Sequence, residues 1–205
     1  MKATKGLKGV LLFPGAGSSR DQPSLVMLEQ SLRPLPVRRA DFPYRKAGRK
    51  VPDRAPVLLD AVRAEATEFA TEIGSKGTAA LVLGGRSMGG RMCSMAAAGG
   101  PFPSDPRDTP PMTVAGLVLI CYPLHPPGKP DALRVEHLAR LDVPCLFISG
   151  TRDAFGTPDE LQRWTATMTA PVTHVWIDGK GHDLKGADRA ITEAVLAWAP
   201  TVPRR

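Results

Sequence analysis

Short, unbroken apolar runs alternate along the chain with longer stretches in which apolar residues return every three or four positions. The first kind predicts strands covered on both faces, the second amphipathic helices. Val10–Phe13 is the first such run, and it ends in the glycine loop Pro14-Gly15-Ala16-Gly17-Ser18-Ser19. Ser24–Leu32, apolar at 25, 28 and 32, predicts a helix stopped by Pro34 and Pro36. Val37–Ala40 is a weakly marked second strand. Val57–Ile73, apolar at 58, 62, 69 and 73 with acids interleaved, predicts a helix ended by Gly74. Ala79–Leu83 follows as a central strand and Met88–Ala98 as a helix. Then come the strand Val114–Cys121, a short helix over Ala132–Leu141, and the strand Val143–Ser149. Pro158–Met168 predicts a helix with proline in its first turn, Thr173–Ile177 the last strand, and Ala187–Trp198 a final helix closed by Pro200.

The connections differ in character. Met1–Gly9 is a polar, lysine-rich lead-in. Asp41–Pro56, rich in Pro, Arg and Lys, is the least core-like stretch and the candidate for a mobile rim. Gly99–Met112 is a Pro/Asp/Gly loop. In Tyr122–Lys129 the prolines deny both helix and ladder, and Asp178–Lys185 is glycine-rich. Strand–helix alternation of this kind predicts an α/β fold in one domain over residues 1–205. Its core would be a mostly parallel, doubly wound sheet of about six strands with helices on both faces. The connection from Cys121 to Val143 is too short for a separate lid, so the site should be open to water, unlike that of an interfacial lipase.

Composition changes this picture little. The 205 residues are 42% hydrophobic and 23% charged, ordinary for a globular protein, but the formal charge is +7. Because the basic residues are scattered, they read as a solvated arginine-rich surface. No aromatic interleaving accompanies them, so no nucleic-acid partner is expected. Cys93, Cys121 and Cys145 each lie in an apolar segment and read as reduced core thiols. There is no C-x-x-C or H-E-x-x-H, and the four histidines share no ligand spacing; no metal and no cofactor are expected. Val10–Phe13 is too short for a signal-peptide core and nothing reaches membrane-spanning length. The expectation is a cytoplasmic protein without a membrane partner.

The chemistry is concentrated in Leu81–Ala98. Gly85-Arg86-Ser87-Met88-Gly89 is G-x-S-x-G between an apolar strand and a run of small residues. A serine on such a strand-to-helix turn is pushed out above the sheet edge, and the turn leaves no space for flanking side chains. The amide of Met88 would then face any oxygen that develops charge. Serine is a poor nucleophile until a base takes its proton, and that base needs a carboxylate to hold its tautomer. Asp153 follows the strand Val143–Ser149, and His182 follows Thr173–Ile177; Asp142, Asp159, Asp178 and Asp183 are less well placed. Of the other histidines, His137 falls in a predicted helix and His174 in a predicted strand. His125, in the proline loop, is better suited to rim a pocket. Arg86, beside the serine, either attracts an anionic group or covers apolar surface with its stem. Two nucleotide-loop readings fail. Gly15–Arg20 lacks the third glycine of G-x-G-x-x-G, and Gly85–Gly90 runs on into Arg91-Met92 where a phosphate loop needs Lys and Ser/Thr.

PGAG at 14–17, GGRSMGGR at 84–91, YPLHPPGKP at 122–130, SGTRDAFG at 149–156 and GKGHDLKG at 179–186 span most of the chain. In these stretches it resembles the small, cap-less α/β-hydrolases of the dienelactone-hydrolase-like kind. It is most similar to the branch of testis-expressed and NSL-complex-subunit hydrolase-like proteins. The resemblance implies a minimal α/β-hydrolase fold with Ser87 as nucleophile, His182 as base and Asp153 as its orienting acid. It implies an oxyanion hole from the amides of Met88 and Ala16. Arg86, His125 and Tyr122 are, apart from the resemblance, the candidates for the pocket rim. Pro14 stands where relatives usually carry histidine. The implied activity is a serine hydrolase cleaving an ester or thioester of a small, soluble acyl substrate. The alternative is a hydrolase-shaped interaction module whose chemistry is unused, since the branch includes complex subunits.

Overall fold

A computed structural model describes residues 6–203; of the lysine-rich lead-in, residues 1–5 lie outside the described residues. The strands are β1 (Gly9–Phe13), β2 (Val37–Arg39), β3 (Leu81–Arg86), β4 (Gly116–Ile120), β5 (Cys145–Gly150) and β6 (Val172–Ile177). They form one sheet in the order β2-β1-β3-β4-β5-β6, and every neighbouring pair is parallel. The helices are α1 (Pro23–Ser31), α2 (Pro43–Lys46), α3 (Ala55–Glu72), α4 (Met88–Ala98), α5 (Pro158–Thr165) and α6 (Asp188–Trp198).

Residue parity sorts the core into two layers. Leu11 and Phe13 of β1, Leu81 and Leu83 of β3, and Leu117 and Leu119 of β4 pack with α3 and α4. Val10 and Leu12, Val82, and Val118 and Ile120 point the other way, onto α1 and α6. Because both faces are covered, the strands read as continuous apolar runs instead of alternating ones. The edge strand β2 is protected by charge. Arg38 pairs with Glu65, Glu68 and Glu72 of α3, and Arg39 with Asp21 and Glu29, which discourages edge-to-edge pairing. Among the described residues no helix is long and apolar enough to cross a membrane.

Three segments depart from the sequence expectation. The predicted helix Ala132–Leu141 is only a 3-10 turn at Leu138–Arg140. The backbone at Arg134 is used across the loop instead: its amide donates to Leu124 O at 2.9 Å and its carbonyl accepts from Tyr122 Oη at 2.6 Å. The stretch Asp41–Pro56 is not uniformly peripheral. Phe42 and Tyr44 are fully buried around α2, with Phe42 stacked on Phe13 at 4.8 Å between ring centroids. Two aromatic anchors outweigh the proline- and arginine-rich composition around them. The central strand β3 runs to Arg86, well beyond Leu83, because Gly84 and Gly85 let it lie against β4 and β1. No cap interrupts the connection from β4 to β5, whose only regular element is the 3-10 turn.

Candidate active site

The site begins where β3 hands over to α4. Ser87 has φ 49° and ψ −115°, a conformation that costs a side-chain-bearing residue about 1–3 kcal/mol. The surroundings enforce it. The Ser87 amide donates to Ile120 O at 2.8 Å, and its carbonyl accepts from the Arg91 amide at 3.0 Å. A Cβ on Gly85 would lie 2.1 Å from Phe13 O, and one on Gly89 2.4 Å from the same oxygen. Both positions must therefore lack side chains for the turn to close against β1. The small residues Cys93, Ser94 and Ala96–Ala98 then let α4 settle onto the sheet, fully covered.

Two further loops converge on this turn. After β5, the Asp153 carboxylate is held in place by the amide of Phe155, which donates to Oδ1 at 2.8 Å. After β6, the loop carrying His182 is tied to the β5 loop. Gly179 N donates to Thr151 Oγ1 at 2.9 Å and Arg152 N to Lys180 O at 2.9 Å. His182 Nδ1 lies 3.0 and 2.9 Å from the two oxygens of Asp153, and His182 Nε2 lies 2.8 Å from Ser87 Oγ. The Asp153 carboxylate is 1% exposed and accepts from His182 Nδ1, so the ring carries its proton there and offers Nε2 as an acceptor to the hydroxyl. Phe155 stacks on the imidazole at 3.9 Å between centroids, fixing its plane. Such a chain can move a proton from Ser87 Oγ onto His182 Nε2 while the buried carboxylate steadies the resulting imidazolium.

Ser87 and His182 open into a cavity of about 790 Å³, whose walls include Ala16, Met88, Arg86, Arg91, Arg134 and Phe155. Met88 is the first residue of α4, where helix geometry leaves the amide without an intrahelical acceptor. Ala16 also lines the cavity, its loop anchored by Tyr44 Oη donating to Ala16 O at 2.8 Å. Cys121, at the end of β4 with φ 51°, brings its sulfur within 4.8 Å of ligand-type atoms of Asp153 and His182. Burial pushes its thiol up to about 12, so it is an uncharged neighbour of the carboxylate. A metal there would have to displace the hydrogen bond that His182 Nδ1 already makes to Asp153.

The three rim positions separate. Arg86 lines the cavity, but its guanidinium donates to His182 O at 3.0 Å, so it braces the histidine loop. Tyr122 does not rim the pocket: it is fully buried, its hydroxyl spent on Arg134 O and its ring edge-on to Phe147. His125 does not either. It is buried with Nδ1 2.9 Å from Pro126 O and Nε2 3.3 Å from Glu160 of α5. The proline loop that carries both turns inward, and Pro123 is what reaches the cavity. Sequence reasoning gave Phe155, Tyr44 and Arg134 no part in the site, read Cys121 only as a core thiol, and met Arg91 only as a mismatch to a phosphate loop. Arg91 had a usable signal, lying one helical turn after Ser87 and on its face of α4.

Several solved structures share this architecture. Est1E from Butyrivibrio proteoclasticus superposes with a TM-score of 0.68 at 15% identity, covering 94% of this chain and 87% of that one. A dienelactone hydrolase from Anabaena variabilis gives 0.65 at 20% identity, with 97% and 88% covered. An α/β serine hydrolase without lid from Xanthomonas campestris gives 0.65 at 20% identity, with 97% and 85% covered. At these identities the likeness is one of fold. The family described as alpha/beta hydrolase domain matches residues 7–199, nearly the whole chain, and with the parallel sheet and the turn at Ser87 already in view, this chain belongs to that family.

Proposed function

We propose that this protein is a serine hydrolase that cleaves a carboxylic ester or thioester of a small, soluble acyl substrate through an acyl-enzyme. The observation that carries the reading is the unbroken hydrogen-bond chain from Ser87 Oγ through His182 to Asp153, opening into a cavity. In this reading Ser87 Oγ attacks the carbonyl carbon as His182 Nε2 takes its proton. The carbonyl oxygen gains the negative charge, facing the amides of Met88 and Ala16. Collapse of the tetrahedral adduct breaks the bond to the leaving oxygen or sulfur, which receives the proton from His182. Water then repeats the sequence on the acyl-Ser87 ester, releasing the acid and restoring the hydroxyl. Apart from the substrate and this water, the steps use Ser87, His182, Asp153 and backbone amides.

The lidless and dienelactone-hydrolase neighbours favour this reaction class, and the motifs quoted above favour the small testis-expressed and NSL-subunit-like branch. The complete proton path weighs against the alternative of an interaction module with unused chemistry. The test is labelling with a fluorophosphonate probe beside a panel of acyl esters and thioesters. Labelling at Ser87, with hydrolysis abolished in Ser87→Ala, is expected. Folded protein that neither labels nor hydrolyses any member of the panel overturns the reading.

A further inference from the structure

The cavity wall beyond Ser87 carries two guanidinium groups that, among the described residues, make no ion pair. Arg91 stands one turn further along α4, about 6 Å along the helix axis. Arg134 enters from the loop between β4 and β5, and both line the cavity that holds Ser87 and His182. Among the described residues neither guanidinium makes an ion pair, whereas Arg38, Arg39, Arg49, Arg107 and Arg189 all do. Arg91 Nε is buried without a hydrogen-bond partner. The two cations are close enough to oppose each other: burial first, and then the charge of Arg91, lowers the pKa of Arg134. Glu136 offsets part of this without pairing. Two acids share the cavity. Asp53 is paired with Arg49 at 2.7 Å, and Asp183 accepts from the Lys185 amide at 3.2 Å; neither reaches these arginines.

A buried donor without an acceptor and two neighbouring like charges are each unfavourable, and a bound anion relieves both. Arginine forks match a carboxylate bidentately, so the pair would fix orientation as well as charge. Resting on the hydrolase reading above, the geometry points to a substrate that carries a carboxylate on its acyl chain, held by Arg91 and Arg134 while Ser87 attacks the ester carbonyl at the other end. One helical turn between serine and arginine suits a short dicarboxylic half-ester. Arg86 differs from this pair in that its guanidinium donates to His182 O and so braces the histidine loop.

The experiment compares p-nitrophenyl hydrogen glutarate with its neutral methyl ester, which has the same skeleton and leaving group. Wild type is expected to favour the anionic ester in kcat/KM by about tenfold or more, and Arg91→Gln or Arg134→Gln to lower that ratio about tenfold each. Arg91→Lys and Arg134→Lys should restore part of it, since a point charge remains; thermal unfolding of each variant checks that the fold is kept. A wild-type ratio at or below one, or a ratio unmoved in both glutamine variants, overturns the inference. If neither ester is hydrolysed, the hydrolase reading fails separately. The arginine site is then read from an NMR titration of Ser87→Ala with monomethyl glutarate. Binding that disappears in the double arginine variant upholds the site, and no binding overturns it.

Discussion

Helix α4 and the turn that leads into it carry two serine–imidazole pairs two turns apart, alike in distance and opposite in character. Ser87 Oγ lies 2.8 Å from His182 Nε2, and Ser94 Oγ lies 2.7 Å from His137 Nε2. At Ser94 the hydroxyl gives its proton to Arg91 O at 2.8 Å, so the ring must donate through Nε2. Its Nδ1 is then a buried acceptor with no partner. At Ser87 the polarity is reversed, because Asp153 accepts the hydrogen bond from Nδ1–H and leaves Nε2 free to receive the hydroxyl's. Burial, followed by the charges of Arg91 and Arg140, drives the His137 pKa down to about 3, so this ring stays neutral. A short serine–histidine contact is therefore no mark of reactivity. The carboxylate behind the ring, the strained backbone at Ser87 and the cavity in front of it make the difference.

The sharpest way to break this comparison is to remove each hydroxyl. Ser87→Ala should lower turnover of any ester the protein accepts by at least ~10⁴-fold with the fold retained. Ser94→Ala should leave turnover within a few-fold. It removes the acceptor of a buried ring N–H and should cost about 1–3 kcal/mol of stability in denaturant unfolding. Comparable turnover losses in the two variants would erase the distinction. The next effect in size tests the carboxylate. Asp153→Asn keeps the volume but permits the wrong tautomer of His182, and should reduce kcat by roughly 10³–10⁴-fold. An Asp153→Asn enzyme within tenfold of wild type would mean that His182 is oriented by Phe155 and its loop alone.

Much of the scaffold behind this contrast can be read from the chain, and the limits have physical causes. Strands covered on both faces announce themselves as apolar runs, so four of the six, β1, β3, β4 and β5, are marked by residues such as Leu81–Leu83 and Val143–Ser149. Ser87, Asp153 and His182 are legible because a parallel sheet delivers strand ends to one edge, whatever the separation along the chain. What sequence conceals is cross-loop bonding. Nothing local shows that Arg134 gives its carbonyl to Tyr122, which unwinds the expected helix over Ala132–Leu141 and draws Tyr122 away from the rim. His137, in that same segment, looks like a surface helix residue until the turn folds it against Ser94. Phe42 and Tyr44 are hidden differently, as two apolar anchors diluted by charged and proline neighbours.

The smallest effect isolates the buried ring itself. In the unfolded chain His137 titrates near 6.5, and in the folded protein near 3. Between these values the unfolded state binds one more proton than the folded state, so stability falls as the pH is lowered. The contribution is fully present above about pH 6.5 and diminishes by up to ~1.4 kcal/mol per pH unit down to pH 3. From pH 7 to pH 5 this amounts to about 2 kcal/mol. His137→Gln keeps an N–H for Ser94 but cannot titrate. Its unfolding free energy should therefore change less than that of wild type over this interval, by roughly the same 2 kcal/mol. His174, whose pKa is also lowered by burial, contributes equally to both proteins and cancels in the difference. Parallel pH profiles for wild type and His137→Gln would show that this ring takes up its proton while folded, and the two serine–imidazole pairs would then differ in access alone.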